Sequence, residues 1–220
     1  MNPLVVKTVK KKVTEKQVTD IQEENEVPVL NIPVETESKN KYWISLDPGI
    51  NFTGISVIDV SNDFTVIETH LVKNNRAFTP EEKIIEKSQG PRAVKLLAII
   101  NKFKNLLSRF DIDMIVIEAP FYNALTPQAY GSLLEVVFGL KYSILVPMDL
   151  KYHLIEPTLV KKLFALHGMA KKEVMRQFLV AKVASGEIKM DKPVDELSEH
   201  EIDSVAIGYV HWLTNQQSVP

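Results

Sequence analysis

Two acidic side chains stand at points where an apolar segment gives way to a turn. Asp47 follows the apolar run Trp43 to Leu46 and precedes Pro48-Gly49, and Glu118 follows the run Met114 to Ile117. Aspartate is unfavourable in strands, so Asp47 either begins its turn by hydrogen-bonding loop amides or serves as a functional acid. One acid at a strand end means little in a chain with 28 Asp and Glu residues. Two of them suggest a shared site, because functional groups of open α/β sheets gather at the carboxyl ends of strands.

A further pair of polar side chains occupies the start of the last predicted helix, Ser198 to Leu213. His200 and Asp203 are three residues apart, so they share one face of that helix, at the flank of its apolar stripe. Polar residues at a helix start are common on surfaces, and Glu199 and Glu201 are interpreted as partners of the helix dipole. No role is assigned to the four histidines that lack comparable partners in the sequence, His70, His153, His167 and His211.

The composition narrows the chemistry that such a site could perform. The chain has no cysteine, which excludes disulfides, thiolate zinc sites and cysteine nucleophiles. A metal ion would therefore be bound by carboxylates or imidazoles, ligands that suit hard divalent cations such as Mg²⁺ or Mn²⁺. The net charge of −2 argues against a uniformly basic nucleic-acid-binding protein but is compatible with a local basic face.

Opposite charges are segregated in the C-terminal third of the chain. Residues 151–182 contain seven Lys or Arg and two acids, whereas residues 187–203 contain seven acids and two Lys. A basic track for DNA beside an acidic metal site would have this pattern, and so would the solvated surface of ordinary helices.

Hydrophobic periodicity predicts the elements that position these residues. Tyr42 to Val60 predicts a β-hairpin, Phe64 to Val72 a third strand, and Met114 to Ile117 a central strand that is covered on both faces. From Pro91 onwards, a helix is predicted by apolar residues at spacings of 4, 3, 4 and 3, namely Leu96, Ile100, Phe103, Leu107 and Phe110. The polar residues 74–90 predict a loop. Further helices are predicted at residues 126–143, 158–166 and 170–184, and a short strand at residues 153–156.

We expect one folded domain, residues 41–215, between two tails. Residues 1–40 contain neither glycine nor an aromatic residue and show no sustained period, which predicts disorder. Their basic tip, residues 7–12, is either a solvated charge run or an arm that touches DNA. Residues 216–220 form the second predicted tail. No apolar run approaches the roughly 20 residues of a transmembrane helix, and the N-terminus lacks the order of a signal peptide, so we expect a cytoplasmic protein without a membrane partner.

Four stretches of the sequence together resemble the RuvC family of Holliday junction resolvases, which have the RNase H-like fold. ISLDPGINFTGISVI, which contains Asp47, is similar to the family's first motif, and IVIEAPF, which contains Glu118, is similar to its second. HEIDSVAIGYVHW is similar to the last motif, a helix that carries two metal-site residues three apart. Between them, PTLVK followed by a glycine and a lysine is similar to the phosphate-binding segment. The resemblance extends from Tyr42 to about Trp212.

The resemblance implies a fold and an active site. The fold is α/β, with a central mixed β-sheet of three antiparallel strands and then parallel strands, flanked by helices. Asp47, Glu118 and Asp203 match catalytic, metal-binding acids. His200 matches a fourth position that holds aspartate or histidine in the family, where it would ligate the metal or protonate a group on the scissile phosphate. The implied cofactor is a pair of Mg²⁺ or Mn²⁺ ions roughly 4 Å apart, which activate water for phosphodiester hydrolysis.

The same resemblance implies how DNA is bound. Phe121 matches an aromatic residue that stacks on an unpaired base at the centre of a four-way junction, although a core aromatic would also fit the sequence. Lys161 and Lys172 match lysines that contact phosphates, and Lys171 and Arg176 are their neighbours. The implied activity is that of a crossover junction endodeoxyribonuclease in DNA recombination and repair.

Symmetric cleavage of a four-way junction needs two active sites in a fixed relation, so we expect a two-fold homodimer. The predicted helix at residues 126–143 is the candidate interface, although core packing would explain its apolar face equally well.

Other functions fit part of the sequence. An RNase H-like endonuclease that cuts flaps, forks or other branched DNA would need the same acids. An actin-like nucleotide-binding ATPase would need a second phosphate-binding hairpin and further glycines, which a chain with only 8 Gly does not offer. A DNA-binding protein with a decayed site is disfavoured, because all four matched positions hold residues able to bind a metal.

Overall fold

The structure is a computed structural model that describes residues 41–61, 63–122 and 124–216. The predicted tail at residues 1–40 lies outside these ranges, so its predicted disorder and basic arm stay predictions. Of the predicted tail at residues 216–220, only Gln216 is described, and it is the last residue of a helix. In the described part of the chain, no helix has the length and apolar character needed to cross a membrane.

A six-stranded mixed sheet in the order β5-β4-β1-β2-β3-β6 is the centre of the fold. The strands are β1 (Tyr42–Asp47), β2 (Phe52–Asp59), β3 (Thr65–Lys73), β4 (Ile112–Glu118), β5 (Tyr152–Ile155) and β6 (Lys189–Met190). The first three strands are antiparallel neighbours, and β4 and β5 run parallel to β1. The predicted arrangement of antiparallel and then parallel strands is confirmed. The two-residue strand β6, which pairs with β3, was not predicted.

Six α-helices flank the sheet in the described residues. They are α1 (Pro80–Gln89), α2 (Pro91–Leu107), α3 (Pro127–Leu140), α4 (Pro157–Phe164), α5 (Lys172–Ala184) and α6 (Glu199–Gln216). A π-helical turn, Lys141–Leu145, continues α3. The predicted helices correspond to α2 to α6, with ends that differ by a few residues.

The side chains of β1 and β4 alternate between the two faces of the sheet, and each face has its own apolar core. Ile44 and Leu46 of β1 pack with α2 and α3 on one face. Trp43 of β1 and Val116 of β4 pack with α6 on the other. Because side chains of a strand alternate between its faces, a strand buried on both sides is apolar throughout, as β4 was predicted to be.

The region predicted as a polar loop, residues 74–90, contains the helix α1, so that prediction was wrong. Thr79 caps the helix by accepting from the Glu82 N–H at 3.3 Å, and the Glu82 carboxylate accepts from the Thr79 N–H at 2.9 Å. Pro80 occupies the first turn. No residue of α1 is buried, so this helix depends on capping and not on an apolar stripe, and hydrophobic periodicity could not indicate it.

Close contact between α6 and the β1–β2 hairpin is possible because two glycines lie between them. A Cβ on Gly54 would be 1.8 Å from the carbonyl oxygen of His200, and a Cβ on Gly208 would be 2.3 Å from Cδ1 of Ile58. The start of α6 therefore rests directly on β2, next to the end of β1.

Candidate active site

Asp47 is the last residue of β1, where the hairpin turns away from the sheet. The Thr53 hydroxyl donates to the carbonyl oxygen of Gly49 at 2.6 Å and closes the turn. A Cβ on Gly49 would be 2.3 Å from the carbonyl oxygen of Phe52, so the tight turn requires glycine there. The Asp47 side chain keeps 14% of its surface exposed. The turn thus leaves this carboxylate at the edge of the sheet.

Glu118 lies beside Asp47 at the same edge. The parallel register pairs Leu46 of β1 with Ile117 of β4, and each acid is the next residue of its strand. Burial, together with the negative charges of Asp47 and Asp203, raises the pKa of Glu118 to about 8. The two strand-end acids predicted to share a site are therefore neighbours in the fold.

The helix α6 adds His200 and Asp203 to the same edge. His200 Nδ1 and Asp47 Oδ2 are 2.6 Å apart, and the His200 ring stacks on Phe52 with centroids 5.6 Å apart. The hydrogen bond to Asp47 raises the pKa of His200 against the opposing effect of burial. Burial, followed by the charge of Asp47, raises the pKa of Asp203 to about 6.

Glu201 holds the start of α6 in place, a role that the sequence analysis did not assign. Its carboxylate accepts from the Ser198 N–H at 2.9 Å, while its own N–H donates to the Ser198 hydroxyl at 3.3 Å. Thr69 and Lys192 donate to the same carboxylate at 2.9 and 2.8 Å. Glu201 is only 4% exposed, so it is more than a dipole partner. The spacing Ser-x-x-Glu of a capping box was the available signal.

The donor set is chemically suited to a divalent cation. Three carboxylates lie at one edge of the sheet. Burial is the main cause of the raised pKa values of Glu118 and Asp203, and the negative charge of Asp47 adds to both. A hard cation would relieve this repulsion, and carboxylate oxygen is its preferred ligand. Among the described residues, however, no three His, Asp or Glu side chains are arranged closely enough to enclose an ion as they stand.

Of the predicted DNA-contacting residues, Phe121, Lys161 and Lys172 lie near this acidic edge. Phe121 follows β4 and is 47% exposed, so it is not a core aromatic. The charge of Lys161 lowers the pKa of Glu118 and Asp203, and the charge of Lys172 lowers that of Asp203. Lys172 also pairs with Glu199. Lys171 is exposed immediately before α5.

The structure favours a supporting role for Arg176 over the predicted DNA contact. Its two terminal nitrogens donate to the carbonyl oxygens of Val194 and Leu197 at 2.6 and 2.8 Å. These carbonyls belong to the segment that leads into α6. Through these two hydrogen bonds, Arg176 stabilises the segment that leads into α6.

All four remaining histidines have partners that sequence spacing did not reveal, and that of His167 is the Met169 N–H at 3.2 Å. His70 Nε2 is 2.8 Å from a carboxylate oxygen of Glu68. The rings of His153 and His211 stack with centroids 4.7 Å apart, and His211 Nε2 is 3.1 Å from the Asn215 amide nitrogen. These contacts lie outside the acidic edge, and no functional role is assigned to the four histidines.

Comparison with known proteins identifies similar chains. No protein-family model matches. The crossover junction endodeoxyribonuclease RuvC of Ehrlichia canis (strain Jake) is 26% identical over 168 residues, which cover 76% of this chain and 94% of that protein. The motif resemblance to the RuvC family is thus confirmed over most of the sequence.

Solved structures show the same fold. T. thermophilus RuvC in complex with a Holliday junction substrate superposes with a TM-score of 0.57 at 20% identity and covers 80% of this chain and 96% of that chain. The yeast mitochondrial Holliday junction resolvase Ydc2 has a TM-score of 0.52 at 12% identity, covering 80% and 82%. The predicted RNase H-like α/β fold is confirmed.

Proposed function

We propose that this chain, which is similar to RuvC-type resolvases in sequence and in fold, is a divalent-metal-dependent endonuclease that resolves Holliday junctions by paired, symmetric hydrolysis of phosphodiester bonds. The observation that carries the proposal is the meeting of Asp47, Glu118, His200 and Asp203 at one edge of the sheet. The chain would act on branched DNA in recombination and repair, in the cytoplasm of a bacterial or phage-infected cell.

The metal-binding residues would be Asp47, Glu118 and Asp203, with His200 as a fourth ligand or as a proton carrier. Two Mg²⁺ or Mn²⁺ ions are proposed per site. When bound, such ions make a water molecule nucleophilic and neutralise the charge that develops on the phosphorus centre. The repulsion among the three carboxylates in the metal-free chain supports this assignment, because bound cations would remove it.

His200 is suited to hold a proton near the scissile phosphate. Its Nδ1 is engaged by Asp47, so Nε2 is the nitrogen left to face the substrate. The stacking of its ring on Phe52 and the bond to Asp47 together restrict the orientation of the imidazole. The pKa of His200 is raised by Asp47, which favours the protonated form that could donate to a leaving oxygen.

Exposed residues around the acidic edge would bind the DNA. Lys161 and Lys172, whose charges act on Asp203, and the exposed Lys171 next to Lys172 would contact backbone phosphates. Phe121 would stack on an unpaired base at the branch point, an interaction open to an aromatic side chain with 47% of its surface exposed. The basic border would draw the phosphate backbone towards the acidic centre, whose negative charge bound cations would neutralise.

The proposed assembly is a two-fold homodimer that uses α3 and the turn after it. Four large apolar side chains of this region are between 47% and 64% exposed, namely Phe138, Tyr142, Val146 and Met148. Apolar residues exposed together on successive turns are typical of a contact surface. A second copy of the chain would cover them and place two acidic sites in a fixed relation.

Cleavage of a synthetic mobile four-way junction in Mg²⁺ or Mn²⁺ tests the proposal. Wild type should produce paired, symmetric nicks, whereas Asp47→Asn and Glu118→Gln should bind the junction without cutting it, because each lacks a metal-binding carboxylate. Equal activity in Asp203→Asn would refute the metal-site assignment. If wild type cuts flaps and forks but leaves junctions intact, the chain is a general branched-DNA endonuclease and the resolvase proposal fails.

A further inference from the structure

The turn between α4 and α5 exposes its large apolar side chains and buries its small ones. Leu166 is 79% exposed and Met169 is 83% exposed. Ala165 and Ala170, at the two ends of the turn, are only 3% and 8% exposed. Leu and Met are among the residue types most often buried, so this distribution is the reverse of the usual one. Nothing in the core requires a large apolar residue at either exposed position.

The turn is held in a defined shape. The Met169 N–H donates to His167 Nδ1 at 3.2 Å, and the Ala170 N–H donates to the carbonyl oxygen of His167 at 2.9 Å. Leu166 has a left-handed φ of 58°, a conformation that residues with a branched side chain adopt only when their surroundings impose it. The backbone of the turn is therefore held in a shape from which Leu166 and Met169 project into solvent.

Positive charges surround this turn, and the acidic edge lies beside it. Two lysines lie on the α4 side and two on the α5 side, Lys161, Lys162, Lys171 and Lys172. Lys161 and Lys172 are near enough to Asp203 for their charges to act on it. Since these lysines flank the turn in the sequence, a phosphate backbone held by them would lie next to it.

We propose that Leu166 and Met169 form an apolar wedge that enters the minor groove of the duplex arm beside the scissile phosphate and partly unstacks one base step. Apolar side chains flanked by phosphate-binding residues act in this way in other DNA-bending proteins. Because pyrimidine–purine steps unstack most easily, the wedge would direct cleavage to phosphates next to such steps. This inference rests on the proposed function and adds to it the residues that select the cutting position.

The test compares the full-length wild type with the double variant Leu166→Ser/Met169→Ser. The substrate is a mobile junction whose branch point can reach TA and CA steps and, at equivalent positions, steps within an A-tract. Wild type should cut preferentially beside the flexible steps. The double variant should lose this preference about fivefold or more, the lower end of what one base pair contributes to discrimination. Its salt dependence of binding should be unchanged, because no phosphate contact is removed.

A second readout does not depend on cleavage. In the Glu118→Gln background, 2-aminopurine at a TA step should fluoresce more strongly on binding, and the two serine substitutions should abolish the increase. Val180→Ser is the matched control, because Val180 is an exposed apolar residue of α5 with 50% of its surface accessible. It should behave as wild type in both assays.

The outcomes separate the wedge from the proposed function. Normal junction cleavage with an unchanged step preference in the double variant, or an unchanged fluorescence increase, would overturn the wedge and leave the nuclease proposal intact. Failure of wild type to bind or cut any branched DNA would defeat both. A changed oligomeric state of the double variant in light scattering would make the turn a contact between copies and would also overturn the wedge.

Discussion

Single charged residues divide into those that face the proposed substrate and those that face the protein. Lys161 and Lys172 act electrostatically on Asp203 at the sheet edge, and Lys172 also pairs with Glu199. Arg176 instead donates to two carbonyl oxygens of the segment before α6. Sequence spacing treats all three as basic residues of one stretch, but their contacts predict different effects of substitution.

Removal of a phosphate-contacting lysine should weaken DNA binding in a salt-dependent manner. Lys161→Gln or Lys172→Gln should each lower the slope of log affinity against log salt by about 0.9, the value for one lost phosphate contact. Fluorescence anisotropy with a labelled junction over a range of salt concentrations measures the slope. Lys104→Gln is the control, since Lys104 is exposed in the last turn of α2, which precedes the opposite end of β4. An unchanged slope in both lysine variants would argue against the proposed track.

Substitution of Arg176 should lower the stability of the fold and leave the salt dependence of DNA binding unchanged. Arg176→Gln leaves the carbonyls of Val194 and Leu197 without their charged donor, and we expect a loss of about 2 kcal/mol in the free energy of unfolding. Urea denaturation measures this change. The salt slope of DNA binding should stay at the wild-type value. A reduced slope with unchanged stability would restore the original assignment of Arg176 as a DNA contact.

At the level of elements, the active site depends on how closely α6 approaches the β1–β2 hairpin. Asp47 comes from the hairpin, while His200 and Asp203 come from the first turns of α6. The hydrogen bond of 2.6 Å between His200 and Asp47 requires that the helix start rest on β2. Gly54 makes this contact possible, which is the physical reason for the Thr-Gly pair that follows Asp-Pro-Gly.

The substitution Gly54→Ala should separate the helix from the hairpin. Its Cβ would overlap the His200 carbonyl oxygen, a backbone atom that can move only with the helix. We expect a loss of about 3 kcal/mol or more in the free energy of unfolding, the upper range for overpacking, and loss of junction cleavage by protein that remains folded. Chemical denaturation measures the loss of stability. Junction cleavage at denaturant concentrations below the unfolding midpoint measures the activity of the protein that remains folded.

Gly131→Ala is a matched control for Gly54→Ala. Gly131 lies within α3, and a Cβ there would meet no atom within 4 Å. Alanine should stabilise this helix by up to about 1 kcal/mol, because glycine is a poor helix former. Wild-type stability and cleavage in Gly54→Ala would show that the helix start does not need its present distance from β2.

For the whole molecule, the sheet separates the acidic edge from the exposed apolar residues of α3 and its following turn. The acids lie at the carboxyl ends of β1 and β4, whereas α3 packs on the face that β1 shares with α2. A two-fold contact through Phe138 and its neighbours would therefore leave both acidic edges accessible. Coordinated cutting of two opposite strands would follow from this arrangement, since both sites would be held by one rigid interface.

The proposed dimer can be tested with one charged substitution. Phe138→Asp should produce a monomer, because an aspartate would be desolvated at the centre of the interface. Light scattering should show half the wild-type mass, and cleavage should change from paired to independent nicks. Ile84→Asp, on α1, is the control, because Ile84 is 73% exposed outside the proposed interface. A wild type that is monomeric with and without junction DNA would refute the dimer.

The local sequence was sufficient to predict the main strands, the main helices and the positions of the acids at the strand ends. The alternation of β1 and the apolar run of β4 specify buried strands, and a strand end followed by a turn leaves a carboxylate at the sheet edge. The 3.6-residue period specifies α2 and α6, including the shared face of His200 and Asp203. These features depend on interactions between residues close in the chain, so they could be predicted without coordinates.

Tertiary structure alone decided which of these residues meet. The bond between His200 and Asp47 joins residues 153 positions apart, and the contacts of Glu201 with Thr69 and of Arg176 with Val194 likewise depend on packing between elements. The raised pKa of Glu118 also arises only in the folded chain, because burial and then the charges of Asp47 and Asp203 cause it. Spacing in the sequence could indicate an acid at each strand end, but the repulsion that favours a divalent cation exists only in the assembled fold, because it depends on distance and burial.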